Sequence, residues 1–150
     1  MQDIWKPHAT VAAIIEQDNR FLIVEEVASG KKVYNQPAGH LDPHESFEQA
    51  VVRETWEETA WQFTPQYISG IYRWEQSEKD RCFLRVAFVG SCDDHDKDQP
   101  LDDGIIQALW LSRDELVERS SQLRSPLVLR CIDDYLQGKK YPLELLTDIT

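Results

Sequence analysis

Residues 39–61 read GHLDPHESFEQAVVRETWEETAW, and the acids in this stretch govern the fold expected of the rest of the chain. Glu57 and Glu58 follow Glu54 at spacings of three and four residues. On a helix turning by about 100° per residue, the three carboxylates share an arc of roughly 100°. Arg53 stands just beside that arc. By the same angular count, Phe47, Ala50 and Val51 in the first half of the helix project in the same direction as the acids. A helix face that begins apolar and ends anionic places carboxylates at the edge of a core. Burying them unpaired costs on the order of several kcal/mol unless a cation compensates. A divalent ion is the simplest compensation, and all-oxygen ligands suit a hard cation, Mg²⁺ or Mn²⁺.

The flanks of the helix are also marked. Ser46 followed by Gln49 is a capping box. Before it, Gln36-Pro37-Ala38-Gly39 is expected to run extended and turn at the glycine, where the missing Cβ lets the backbone approach an ion or a phosphate. Glu45 adds a fourth carboxylate just ahead of the cap.

Gly39, five residues, Glu45, seven residues and then Arg53-Glu54-Thr55-Trp56-Glu57-Glu58 closely resembles the Nudix box, G-x5-E-x7-R-E-U-x-E-E-x-G-U with U bulky and apolar. Two positions depart from it. Thr55 replaces a bulky aliphatic, implying a smaller contact with the sheet, and Ala60 replaces the last glycine, implying a less open turn after the helix. Neither is a metal-ligand position. Lys6-Pro7-His8, Asn35 to Leu41, Leu123-Arg124-Ser125-Pro126-Leu127-Val128 and Tyr141-Pro142-Leu143-Glu144 are further similar to one subgroup of bacterial phosphatases in that family.

The resemblance implies an α/β Nudix fold, a mixed β-sheet sandwiched between α-helices. It implies a Mg²⁺-dependent hydrolase of phosphoric anhydrides. The subgroup acts on nucleoside tri- and diphosphates and on hydroxymethylpyrimidine diphosphate, releasing orthophosphate. In this reading Glu54, Glu57 and Glu58 hold the metal, with the backbone carbonyl of Ala38 as an added ligand. Arg53 orients the carboxylates, Glu45 included. The base that activates water is Glu57 or an acid of the loop, Asp102 or Asp103, although Gly104 stands where relatives align that acid. A non-catalytic Nudix domain that senses a phosphorylated metabolite is the alternative, but such relatives tend to lose box carboxylates and this chain keeps them.

Composition agrees with a single domain spanning residues 1–150, long enough to bury about two-thirds of its unfolded surface. The chain is 41% hydrophobic and has five Trp. No apolar run approaches the roughly 18 residues of a membrane span, and the first residues, MQDIWKPHATVAAII, do not form a signal peptide. Cys82, Cys92 and Cys131 are unpaired by count and spacing, as in a reducing cytoplasm. The net charge of −11 argues against polymeric nucleic acid as a partner and leaves small phosphorylated substrates, met by a monomer.

In chain order, residues 10–15 and 21–27 read as two strands of a hairpin turning at Asp18-Asn19. Residues 67–74, 82–89 and 105–111 read as further strands. Ser112 with Glu115 caps a short helix over residues 113–119, and Ser125-Pro126 opens another that ends at Gly138. Residues 91–104 form a long acidic loop, which lacks the glycine and final glutamate of a calcium loop.

Substrate contacts are open at this level. Arg124 either meets a phosphate or is a surface charge at a helix start. Tyr34 and Trp74 either stack on a base or pyrimidine ring or pack on a strand face. Arg73, Arg81 and Arg85 lie on or near strands, and one of them could line the cleft, although each taken singly is expected to face solvent, as are His40 and His44. Glu25 and Glu26 are expected to be strand-end charges, and Trp56 to be core between helix and sheet.

Overall fold

The structure, a computed structural model, describes residues 3–150. Among the described residues, two four-stranded sheets carry three α-helices. The first sheet contains β1 (His8–Ile14), β5 (Ala38–His40), β6 (Gln62–Gln76) and β7 (Arg81–Asp93), in the order β5-β1-β7-β6. It is mixed: β1 and β7 run parallel, and the other two pairings are antiparallel. The second sheet is antiparallel and contains β2 (Glu16–Gln17), β3 (Arg20–Ala28), β4 (Lys31–Asn35) and β8 (Ile105–Leu111), with β3 paired to all three others.

Strands β1 and β7 are apolar on both faces because both faces of their sheet are covered. Val11, Ala13, Val86 and Phe88 pack under α1 (Phe47–Thr59) with Ala50 and Val51. The alternate residues Ile14, Ala87 and Val89 pack with Cys131 and Ile132 of α3 (Leu127–Leu136) and Leu116 of α2 (Arg113–Glu118). The mixed sheet sandwiched between helices is therefore present. The expected hairpin between the first two long strands is not. The Asp18-Asn19 turn, with φ of 51° and 64°, joins only β2 to β3, while β1 belongs to the other sheet. With apolar side chains on both faces, β1 is seated as an interior strand between β5 and β7.

Both capping boxes form, at Ser46/Gln49 and Ser112/Glu115. Ser125 Oγ accepts from Leu127 N at the start of α3, and Gly138 takes φ of +80° beyond its end. Thr55 is fully buried and its hydroxyl donates to the Val51 carbonyl at 2.7 Å, so the polar side chain is satisfied within the helix. Trp56 is half-buried and stands outside both apolar clusters, so it is not the core residue expected.

Ala60 also differs from expectation. The turn after α1 is not less open: Ala60 adopts the left-handed conformation, φ 60° and ψ 24°, that a glycine would take there. Its N–H donates to the Trp56 carbonyl at 2.8 Å, and its own carbonyl accepts from Asp96 N at 3.0 Å. An alanine held there carries strain on the order of 1 kcal/mol. Ala60→Gly should therefore stabilise the chain by about 0.5–1 kcal/mol, a rise of a few degrees in Tm. Thermal unfolding followed by circular dichroism checks this, and an unchanged or lower Tm would show that the turn is unstrained.

Candidate active site

The site is assembled around the C-terminal half of α1. Arg53 uses its whole guanidinium there. Nε and Nη2 donate to both oxygens of Glu45, at 2.7 and 2.9 Å. Nη1 donates to Glu54 at 2.8 Å and to Glu57 at 3.1 Å, and Nη2 also reaches the His40 carbonyl at 3.0 Å. Glu45 is thereby held below the usual carboxylate range, first by the Arg53 hydrogen bonds. Its Oε1 also accepts from Asp42 N, which closes the loop ahead of the helix. Arg53 thus joins the carboxylates of Glu45, Glu54 and Glu57 through one guanidinium.

One carboxylate oxygen each from Glu54, Glu57 and Asp102 lie within 4.8 Å of one another. Asp102 reaches this place through its backbone, whose N–H donates to the Glu57 carbonyl at 2.9 Å. Of the two loop acids, the structure therefore brings in Asp102. Asp103 is exposed on the adjoining turn and stands outside the group. Asp102 is itself exposed, but its carboxylate reaches those of Glu54 and Glu57, whereas that of Asp103 is not in the group.

Glu58 stands behind this group, nearly inaccessible to solvent, with its Oε1 accepting from Ala38 N at 2.9 Å. Burial is the main cause that pushes its carboxyl well above the usual range of about 4.5, with the neighbouring charges of Glu54, Glu26 and Asp102 acting in the same direction. Glu54 and Glu57 are raised too, each first by burial. Gly39 is needed for a different reason from the one expected: a Cβ at that position would collide with the Glu54 carboxylate itself. The donor set fits a hard divalent cation. Three converging carboxylates with a fourth behind them, balanced by one guanidinium, leave excess negative charge that such an ion would offset.

Of these acids, Glu54 and Glu58 line a cleft of about 350 Å³. Glu54, Glu58, Ala38, Gly39 and His40 form one wall. Trp74 and Phe83 face them, stacked with ring centroids 5.5 Å apart. Arg124 stands at the mouth, paired to Glu26 at 2.8 Å. Glu26 is thus part of the cleft and not a free strand-end charge. His40 also lines the cleft, partnered at 3.2 Å by His8, not His44, and burial lowers its pKa.

Arg85, expected to face solvent, is only 6% exposed and lies on the cleft floor. Arg73 and Arg81 are exposed as expected. Tyr34 does not line the cleft. Its hydroxyl donates to Glu25 at 3.0 Å and its ring lies beneath Arg119, so it packs as part of the second core cluster.

Residues 6–131 match the NUDIX domain. The chain belongs to the Nudix hydrolases, enzymes that split phosphoric anhydrides in small phosphorylated substrates, and such enzymes generally use divalent metals. Within that family it is 40% identical over 145 residues to Phosphatase NudJ of Escherichia coli (strain K12), covering 97% of this chain and 94% of that protein. It superposes on a NUDIX hydrolase from Nitrosomonas europaea with a TM-score of 0.94 and 46% identity, covering 96% of this chain and 98% of the other. A MutT protein from Methanosarcina mazei Go1, at 24% identity and a TM-score of 0.70, shares the fold over 92% of this chain and its own full length.

The raised carboxyls carry a sign. The folded pKa of Glu58 lies above its unfolded value near 4.5, so the folded chain takes up the proton first. Stability of the metal-free chain from this group is greatest below pH 4.5 and declines as pH rises through the folded pKa. Glu58→Gln keeps the acceptor for Ala38 N and removes the charge. It should raise the metal-free Tm at pH 7 by a few degrees, roughly 2–4 °C per kcal/mol for this size, and leave it little changed at pH 4. Melting curves at the two pH values check this, and a lower Tm at pH 7 would contradict the buried-charge account.

Proposed function

We propose that this protein is a Mg²⁺-dependent phosphohydrolase of the NudJ kind. Its substrates are nucleoside tri- and diphosphates and hydroxymethylpyrimidine diphosphate, from which it releases orthophosphate, and it works as a monomer. The convergence of Glu54, Glu57 and Asp102, with Glu54 lining a cleft that also holds Trp74 and Phe83, carries this reading. It is joined by the similarity to a phosphatase over nearly the whole chain.

Glu54, Glu57 and Asp102 would hold the cation, with Glu58 behind them and the Ala38 backbone beside them. Bound there, Mg²⁺ or Mn²⁺ supplies charge neutralisation for the diphosphate oxygens and makes a water easier to deprotonate. Arg53 keeps the carboxylates in place and does not touch substrate, because its N–H groups are already engaged. Trp74 provides a ring face for a base or pyrimidine, opposite the acids. Water adds to the terminal phosphorus, the bond from that phosphorus to the bridging oxygen breaks, and Glu57 receives the proton.

Glu57→Gln keeps the shape and removes the charge that would both help hold the cation and accept the proton. Orthophosphate release in Mg²⁺ from hydroxymethylpyrimidine diphosphate, CTP and ADP should fall by about 10²–10⁴-fold with an unchanged circular dichroism spectrum. Near-normal turnover would remove Glu57 from the chemistry. Saturable binding by the wild-type chain without any turnover across the panel would replace the enzyme reading with a metabolite sensor.

A further inference from the structure

The cleft floor contains a buried cation without an anion. Arg85 is 6% exposed, and its hydrogen-bond partners are neutral: Nη1 donates to Gln36 Oε1 at 2.9 Å, and Nη2 donates to Asn35 Oδ1 at 3.2 Å. The weaker contact, from Nη1 to Cys131 Sγ at 3.9 Å, involves a buried thiol. Among the described residues no carboxylate pairs with it within 4.0 Å. This is unusual in a chain with 27 acidic residues and 16 basic ones. The other two guanidiniums at the site are already neutralised, Arg53 by Glu45, Glu54 and Glu57 and Arg124 by Glu26. A guanidinium withdrawn from water and left without a counter-charge is unfavourable, and an arriving anion removes that penalty.

The surroundings fix which anion. Across the first sheet, His40, Thr10, Arg85 and Tyr72 are successive register partners. Arg85 therefore lies two strands from the strand that carries Gly39 and the Glu58-bonded Ala38, and two residues along β7 from Phe83, the partner of Trp74. A substrate laid across the cleft from the acids to the aromatic wall passes over Arg85. Its fork-shaped donor array suits two oxygens of one phosphate.

We infer that Arg85 is a substrate-binding residue, the one cation of the cleft floor that receives phosphate oxygens of the diphosphate, and that it selects substrates by their anionic chain and not by their ring. The inference rests on the phosphohydrolase reading above. Gln36 and Asn35 act as positioning residues. Gln36 also donates from Nε2 to the Val128 carbonyl at 2.8 Å, so its carboxamide is fixed between α3 and Arg85.

The test uses Arg85→Gln, which removes the charge, and Arg85→Lys, which keeps the charge and loses the fork. Binding of methylenediphosphonate, which has no ring, and of cytidine, which has no phosphate, is measured by calorimetry in Mg²⁺ beside turnover of CTP. Methylenediphosphonate should bind at least tenfold more weakly to Arg85→Gln, with an intermediate loss in Arg85→Lys and unchanged cytidine binding. KM for CTP should rise in parallel. Unchanged methylenediphosphonate affinity in both variants, or a loss confined to cytidine, would overturn the inference. Absence of turnover by the wild-type chain would instead count against the phosphohydrolase reading, so the two failures are told apart. If Arg85→Gln does not fold, the Arg85→Lys comparison alone decides, since an unchanged affinity there contradicts fork-shaped recognition.

Discussion

The site depends on one guanidinium. Arg53 bonds Glu45, Glu54 and Glu57 and the His40 carbonyl together, and so fixes the loop before α1 to the face of the helix. Without it, carboxylates on that face would repel one another and turn toward water. With it, they are aimed inward at a spacing where a divalent ion can satisfy them. The rest of α1 supports this aim. Ala50 and Val51 seat the helix on the first sheet, and the hydroxyls of Thr55 and Thr59 are consumed inside the helix, so nothing else on that face competes for the acids.

Negative charge close to a core is the other side of this arrangement. Glu58 is nearly inaccessible to solvent, and among the described residues the Ala38 N–H is its one donor. Its neighbours Glu54, Glu26 and Asp102 are acids. A fold concerned only with stability would place an apolar side chain there. The strain at Ala60 belongs to the same region, since its carbonyl anchors the acidic loop through Asp96, and that loop delivers Asp102. Several features that weaken the chain locally are gathered where its chemistry lies, as expected of a working site.

What the sequence revealed and what it concealed follow from the range of the interactions. The acids of α1 were legible because helical spacing alone puts them on one face, and the capping boxes because they lie within four residues. The strand periods were legible as strands, but their partners were not. Residues 10–15 and 21–27 look like a hairpin locally and are separated by long-range pairing of β1 with β7. Arg85 was hidden because β7 is covered on both faces, so alternation cannot say which face a charged residue occupies. Asp102 and Asp103 are adjacent acids of which only the first reaches the group, and Glu26 acquires its role from Arg124, ninety-eight positions away. Trp74 reaches the cleft and Tyr34 does not, which no local pattern distinguishes.

The cleft has two walls of different parentage. The acid wall comes from α1 and the strand before it, tied internally by Arg53. The floor and far side come from the β6–β7 hairpin, with Gln36 bridging to the backbone of α3. Val86 and Phe88 of β7 pack beneath α1, but among the described residues the cleft-lining Trp74, Phe83 and Arg85 make no hydrogen bond to α1 or β5, so changes confined to those positions can accumulate without disturbing the acids. Descendants of such a scaffold can exchange the molecules they accept while their bond-breaking apparatus stays intact, and a diversified repertoire follows from that independence.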